Sequence, residues 1–393
     1  MADLSAAFDT VKHDILIEKL KLYGLSPETI LWFRSYLEGR SQFMDVDGER
    51  SEEIEITVGV FQGSITGPLL FLIYFNDLIC LQDQNCHVVI YADDNNYAVK
   101  LGQDVEENRQ RINLKLKQVE DYMNANKLKF NVEKTQLMIM SPKRVRINEG
   151  LEVEFNGHTL KPDKHAKFLG ITISDDLSWD EYILNGENGQ EPLLSYLNKK
   201  LGALKKMSKF CNIDQMLLSA NGLIISKITY CLSVWADCKQ LFKNKIQDIL
   251  TEMYRIVYRD RKSSVKSLFQ SAKAFNFEGW TSYLDFMFGK NIMDFSKPAD
   301  IAGKIGMIQL TNQMIRRNTR SLAQGRILYN EFNTSNYTAR WKTFLPRFTR
   351  LFNSMVTGAD HVITSTNLKV GKHFEIRDMK ESVKVYIRSK QVY

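Results

Sequence analysis

This chain has little of what extracellular, membrane and zinc-binding proteins use to hold themselves together. Its five cysteines (Cys80, Cys86, Cys211, Cys231 and Cys238) are odd in number, widely spaced and without a CxxC pair. That argues against a disulfide framework or a zinc knuckle and for a reducing, intracellular setting, with secretion not expected. The six histidines are scattered, which disfavours a hydrolytic two-metal nuclease built on an Asp/Glu/His cluster. No basic segment followed by an apolar one opens the chain after Met1-Ala2-Asp3, so no secretory leader is expected. The longest apolar stretch, Leu69 to Phe75, is far too short to cross a bilayer. Neither an internal repeat nor a low-complexity linker is visible.

What is present is ordinary in amount and uneven in placement. Apolar residues make up 44% and charged residues 25% of the 393, the proportions of a globular protein with room for two or three subdomains. The net charge is +7, yet residues 301–393 hold 16 Lys and Arg against 5 Asp and Glu, so residues 1–300 are mildly acidic. A basic last third suggests a surface that faces nucleic acid, with a merely solvated surface as the alternative. Within it Arg316, Arg317, Arg320, Arg326, Arg340, Lys342, Arg347 and Arg350 lie among Tyr329, Phe332, Tyr337, Trp341, Phe344 and Phe348. Cations meet phosphates and aromatics stack bases, although such aromatics also form small cores.

Periodicity predicts two helices over residues 10–38, the first ended by Gly24 and the second opened by Pro27, a first-turn position that proline tolerates. Alternation around Asp47-Gly48 predicts a hairpin over 41–60. An apolar helix is expected over about 66–81, a second hairpin over 86–99 with Asp93-Asp94-Asn95-Asn96 as its turn, and an amphipathic helix over 103–127. Short strands are expected at 135–140, 151–155 and 167–173, and mostly helix from about 179.

Two places carry chemistry. Tyr91-Ala92-Asp93-Asp94 ends the apolar run His87-Val88-Val89-Ile90, and Asp3 opens the cluster Asp3-Leu4-Ser5-Ala6-Ala7-Phe8-Asp9. Two carboxylates at a strand tip facing a third are what two-metal phosphoryl transfer needs. Each part alone has a plainer reading: Asp3 as a helix cap, Asp93-Asp94 as a turn, Gly63 and Gly67 as turn punctuation, Lys134 as a solvated lysine.

Their order is more telling. Asp3 to Val11, then Gly59-Val-Phe-Gln62-Gly63-Ser64-Ile-Thr-Gly67-Pro68 through Asn76-Asp77-Leu78, then Tyr91-Ala-Asp-Asp94 resemble a reverse transcriptase. The pattern is most similar to that of non-LTR (LINE-type) retrotransposons of the jockey-like group. It continues through Asn126 to Thr135, Lys167-Phe168-Leu169-Gly170-Ile171, Ile224 to Tyr230 and Asn318-Thr-Arg320.

The resemblance implies an α+β right-hand polymerase: an antiparallel palm over residues 1–175, a helical thumb over 176–260 and a basic C-terminal region over 261–393. It implies an RNA-directed DNA polymerase, in a partial or degenerate copy, that takes an RNA template, a DNA primer and dNTPs, in the nucleus or a cytoplasmic ribonucleoprotein, with a catalytically inactive nucleic-acid-binding remnant as the alternative. Two Mg²⁺ ions, or Mn²⁺ in their place, are implied on Asp3, Asp93 and Asp94, with the Leu4 carbonyl completing the metal shell. Phe8 matches the aromatic gate against a ribose 2′-hydroxyl, with a core aromatic as the alternative. Gln62, Gly63 and Ser64 match the loop that meets the template base and the incoming nucleotide, and Tyr91 belongs to the substrate-facing set. Lys134 matches the lysine that protonates pyrophosphate, and Phe168, Leu169 and Gly170 the turn that grips the primer. Asp9 and Asp77 belong to the pattern as structural hydrogen-bonders, not metal ligands.

Three departures stand against the pattern. The sequence begins two residues before Asp3, so the first strand is expected to lack part of its ladder beside residues 87–91. The fingers and the upstream endonuclease of the family are not in it. Phe61 stands where the family has proline, which is expected to free the backbone before Gln62; Thr66, usually aliphatic, is a milder change.

Overall fold

The computed structural model describes residues 1, 3–140, 151–186, 189–295, 305–309 and 326–330. It is a mixed helix-and-sheet structure that divides into two compact units, Met1–Ala166 and Lys167–Tyr393.

The first unit opens with a two-residue strand, Asp3–Leu4, and a helical turn over Ala7–Asp9. Helix α1 (His13–Leu22) and helix α2 (Pro27–Leu37) follow. Ser26 starts α2 by accepting a hydrogen bond from the Thr29 amide, with Pro27 in the first turn, where its missing N–H costs nothing. Two nested strand pairs come next, Ser41–Gln42 with Ile54–Glu55 and Asp45–Val46 with Glu49–Arg50. Asp47 and Gly48 close the inner pair with φ of 55° and 89°, the left-handed geometry a two-residue hairpin turn requires.

Helix α3 (Thr66–Phe75) runs on into a tighter helical segment, Asn76–Leu81. The antiparallel hairpin Cys86–Tyr91 with Asp94–Val99 follows, and then helix α4 (Val105–Ala125), whose first turn is capped by Asp104 on the Glu107 amide. In the hairpin, Val88 is buried opposite Tyr97 while Tyr91, opposite Asp94, faces out, the alternation of a half-buried sheet.

The apolar sides of α1, α3 and α4 meet in one core around Leu16, Leu20, Leu70, Phe71, Phe75 and Val119. Set into it is a polar knot. Lys19 of α1, with a side chain only 10% exposed, donates to Asp77 at 2.8 Å and to the Tyr74 carbonyl. Asp77 also accepts from the Tyr122 hydroxyl at 2.5 Å. The Lys19 ammonium lies 4.8 Å from the Tyr74 ring centre and 5.5 Å from that of Tyr122. Burial pulls the Lys19 pKa down, against the opposing pull of Asp77, and pushes the Tyr74 phenol up to about 12. Asp77 is thus a structural hydrogen-bonder.

The second unit has a core of Leu197, Ile224, Trp235, Ile246, Leu250 and Phe269, gathered from helices that include Leu193–Met207, Ile213–Ala220 and Gln240–Tyr258. The same core continues across residue 260 to Leu268, Phe269 and Phe277, so the helices Val265–Ser271 and Phe277–Phe295 extend the helical part beyond the expected boundary. Of the basic, aromatic tract, Arg326 and Tyr329 fall in the strand Arg326–Asn330, which pairs with Ile305–Gln309. Arg316, Arg317, Arg320, Phe332, Tyr337, Arg340, Trp341, Lys342, Phe344, Arg347, Phe348 and Arg350 lie outside the described residues.

Removing one partner of a buried charge strands the other. Asp77→Ala is therefore expected to lower unfolding stability by about 2 kcal/mol, with part of the loss recovered when Lys19→Met is added. Urea denaturation of the single and double variants checks this; an unchanged midpoint for Asp77→Ala would contradict it.

Candidate active site

The carboxylate hairpin turns through two residues, because Tyr91 pairs directly with Asp94. The sequence placed the turn at residues 93–96; instead Ala92 and Asp93 form it and Asp94 begins the returning strand. The reason is register: pairing Ile90 with Asn95 and Val88 with Tyr97 keeps the apolar face of the hairpin inward. Ala92 takes φ 53°, a conformation that costs a residue with a Cβ about 1–2 kcal/mol. Asn95, 1% exposed, closes the turn by donating its side-chain amide to the Asp93 carbonyl at 3.2 Å. Asp93 and Asp94 are both partly exposed at the tip. The side-chain carbonyls of Asn95 and Asn96 are buried without a hydrogen-bond partner, so this end of the hairpin carries polar groups that its own fold does not satisfy.

Asp3 comes to the hairpin along a different route from the expected one. Its ladder partner is Asn131, with Leu4 opposite Phe130, in an antiparallel pair that excludes residues 87–91. The strand lies beside Asp94–Val99, the returning strand. Ser5 extends the pairing by donating its amide to the Lys129 carbonyl at 2.9 Å, and Leu4 is buried in the core. The expected frayed edge against 87–91 is therefore replaced by a pairing with 130–131. Asn131 acts twice, since its side chain also accepts from the Lys134 amide and caps the turn Val132–Lys134. Lys134 is exposed on that turn, three residues after the strand partner of Asp3.

Phe8 stacks on Phe71 of α3, ring centres 4.8 Å apart, and is partly buried against the core. Both the gate and the core reading fit that position. Its carbonyl accepts from the Val60 amide, and the neighbouring Asp9 accepts from the Gln62 side chain at 2.8 Å. The Gln62 loop is thus fastened to the Asp3–Asp9 segment, and Asp9 is a hydrogen-bonder there. Gly59 is needed for this approach: at φ 93°, a Cβ on it would sit 3.1–3.2 Å from the backbone of Phe8 and Asp9. Ser64 knots the loop by donating to the Phe61 carbonyl at 2.7 Å and accepting from the Gly67 amide at 2.9 Å. A Cβ on Gly67 would lie 2.5 Å from the Phe61 carbonyl oxygen, whereas one on Gly63 meets nothing within 4 Å. In this loop the close approach belongs to Gly59 and Gly67, and Gly63 supplies a positive φ of 80° at an exposed position.

Asp3, Leu4, Phe8, Gln62, Gly63, Ser64, Tyr91, Asp93, Asp94 and Lys134 all belong to the first unit, and Phe168, Leu169 and Gly170 to the second. Leu169 and Gly170 adopt φ of 46° and 79°, so they form a tight turn, and the Tyr230 hydroxyl donates to the Leu169 carbonyl. Sequence reasoning passed over Asn95, Asn131 and the Gln62–Asp9 bond. Only Asn131, three residues before Lys134, carried a visible signal, the spacing of a cap.

The donor set is chemically right for Mg²⁺ or Mn²⁺, since carboxylate oxygens suit hard divalent cations. Among the described residues no group of three or more His, Cys, Asp or Glu side chains is gathered around one point. Asp93 and Asp94 supply two carboxylates at the hairpin tip, and the short strand that contains Asp3 lies beside Asp94–Val99. No helix among the described residues is long and apolar enough to cross a membrane.

Residues 1–173 match the model of the reverse transcriptase (RNA-dependent DNA polymerase) family. The RNA-directed DNA polymerase from mobile element jockey of Drosophila melanogaster is 23% identical over 266 residues, 64% of this chain and 27% of that protein. The probable RNA-directed DNA polymerase from transposon BS of the same fly is 30% identical over 198 residues, 46% of this chain and 20% of that one. The chain thus spans about a quarter of the length of these relatives. A solved telomerase from Candida tropicalis, in complex with a fragment of telomeric RNA, aligns over 77% of this chain and 48% of its own. Its identity is 12% and its TM-score 0.34, below the level of a shared fold.

The loop geometry separates two glycines that look alike in sequence. Gly67→Ala is expected to cost about 2–3 kcal/mol, because backbone must move, and Gly63→Ala about 1 kcal/mol from its left-handed φ alone. Thermal or urea unfolding of the two variants decides it; equal losses would contradict the close packing of Gly67 on Phe61.

Proposed function

We propose that the chain is a jockey-like reverse transcriptase of a non-LTR retrotransposon, which descends from, and retains the centre of, an RNA-directed DNA polymerase; the family match over residues 1–173 and the similarity to the jockey enzymes support this. In this reading the first unit is the palm, the helices of the second unit are the thumb, and the basic tract extends it. The substrates are a DNA primer on an RNA template and dNTPs. The observation that supports the proposal is that the Asp3–Leu4 strand, paired with Phe130–Asn131, lies beside the strand that begins at Asp94.

Asp3, Asp93 and Asp94 are the residues that would hold two divalent cations. When bound, these would lower the pKa of the primer 3′-hydroxyl and neutralise charge on the departing pyrophosphate. The rest is positioning by the chain's own groups, most of what a phosphoryl-transfer enzyme contributes. Gln62, fastened to Asp9, and Ser64, fastened to Phe61, hold the loop that meets the nascent base pair. Phe8, pinned against Phe71, presents a fixed edge to the sugar and excludes a 2′-hydroxyl. Lys134, set on a turn capped by Asn131, donates a proton to the leaving pyrophosphate. Phe168, Leu169 and Gly170, held by Tyr230, supply the contact to the primer backbone.

Primer extension on an RNA template with dNTPs and Mg²⁺ tests the proposal. The purified chain is expected to extend the primer. Protein carrying Asp93→Asn and Asp94→Asn is expected to lose at least 100-fold in rate, the order of removing a principal electrostatic stabiliser, while binding the primer–template as before. No extension with equal binding by both proteins would reduce the chain to a nucleic-acid binder.

A further inference from the structure

The first unit carries a stacked column that the polymerase chemistry above does not use. Trp32 and Tyr36 of α2 lie with ring centres 5.6 Å apart and planes within 9° of parallel. Arg40, three residues past the end of α2, continues the column with its guanidinium 5.8 Å from the Tyr36 ring centre and 5.6 Å from that of Phe61. Phe61 meets Tyr36 edge-on at 5.2 Å, and Thr66 donates to the Tyr36 hydroxyl at 2.8 Å. The middle of the column is therefore braced from two sides. Its ends are open: Trp32 keeps 55% of its surface exposed, and Arg40 is exposed with no carboxylate partner among the described residues. The nearby Glu38 is paired with Arg34 at 3.4 Å.

A half-exposed indole, stacked on a braced phenol and met edge-on by Phe33 at 4.9 Å, with a cation at the other end of the column, has the chemistry of a single-strand platform. An unpaired base stacks on the aromatic face whatever its sequence, and the guanidinium takes a backbone phosphate. A protein partner would be served by apolar area alone and would not need the cation placed in line with the rings. Phe61, the brace, also leads directly into Gln62, Gly63 and Ser64. It is the residue that stands in place of the family's proline, and its ring gives the platform its floor. We infer that Trp32, Tyr36 and Arg40 form a stacking platform for an unpaired base of the template strand ahead of the Gln62–Ser64 loop. This rests on the proposed polymerase reading, in which that loop meets the template.

The test is fluorescence anisotropy of the full chain with two RNA/DNA primer–templates, one blunt and one with a single-stranded 5′ RNA overhang. Trp32→Ala is expected to weaken binding of the overhang substrate about tenfold, the order for one stacked base, and to leave the blunt one unchanged. Trp32→Phe, which keeps a ring, is expected to stay within about threefold of the wild type. Arg40→Gln is expected to lower the slope of log affinity against log salt by about 0.7, as for one phosphate contact on a single strand. Quenching of indole emission on adding the overhang substrate, absent in Trp32→Phe, gives an independent readout. Equal overhang binding by Trp32→Ala and wild type would overturn the platform, leave the polymerase reading standing and mark this face as a protein contact. Failure of the wild type to bind either duplex would overturn both.

Discussion

Lys19 is the residue on which the first unit turns. An ammonium enters an apolar core only where several partners compensate its lost water, and here Asp77, Tyr122 and the Tyr74 carbonyl do so. Tyr74 and Asp77 lie three residues apart at the end of α3 and Tyr122 lies on α4, so satisfying one charge ties α1, the end of α3 and α4 together. The constraint travels further. Tyr74 donates its own hydroxyl to the Asn126 carbonyl at 2.6 Å, at the point where α4 ends. From Asn126 only a few residues lead to Phe130 and Asn131, the strand that receives Leu4 and Asp3. The Lys19–Asp77 pair, its lysine buried and its carboxylate half-exposed, thus anchors the helices from which the strand partner of Asp3 departs.

The carboxylate hairpin shows the opposite arrangement. It holds a left-handed alanine, two buried amide carbonyls without partners and two adjacent carboxylates at one tip. Left-handed non-glycine residues and buried polar atoms without partners also occur elsewhere among the described residues, but here they coincide with two adjacent carboxylates, consistent with a site whose geometry serves a ligand.

Much of this was legible in the sequence. Ser26-Pro27 and Asp47-Gly48 marked a helix start and a hairpin turn by rules that act within four residues, and both stand where expected. Asn156-Gly157, with φ of 48° and 76°, closes another hairpin and carried the same signature unread. The order of the Asp3, Gln62 and Asp94 motifs pointed to the family. What escaped were pairings between distant segments. A strand of two residues has no periodicity to read, so the partner of Asp3 could not be found from Asp3. A buried lysine runs against the usual exposure of its type, and nothing local distinguishes Lys19 from Lys21. Phe61 read as a flaw in a motif, and only the positions of Tyr36 and Arg40 show what its ring supports.

The central claim is that Asp3 shares one metal site with Asp93 and Asp94. Its most direct test is electron paramagnetic resonance of Mn²⁺ titrated into the chain with primer–template and dNTP present, comparing wild type with Asp3→Asn, Asp93→Asn and Asp94→Asn. The account predicts that each substitution reduces the bound Mn²⁺, with Asp3→Asn and Asp93→Asn alike in effect. Mn²⁺ binding by Asp3→Asn that matches the wild type would contradict it, because the first strand would then stand apart from the site it is held to complete.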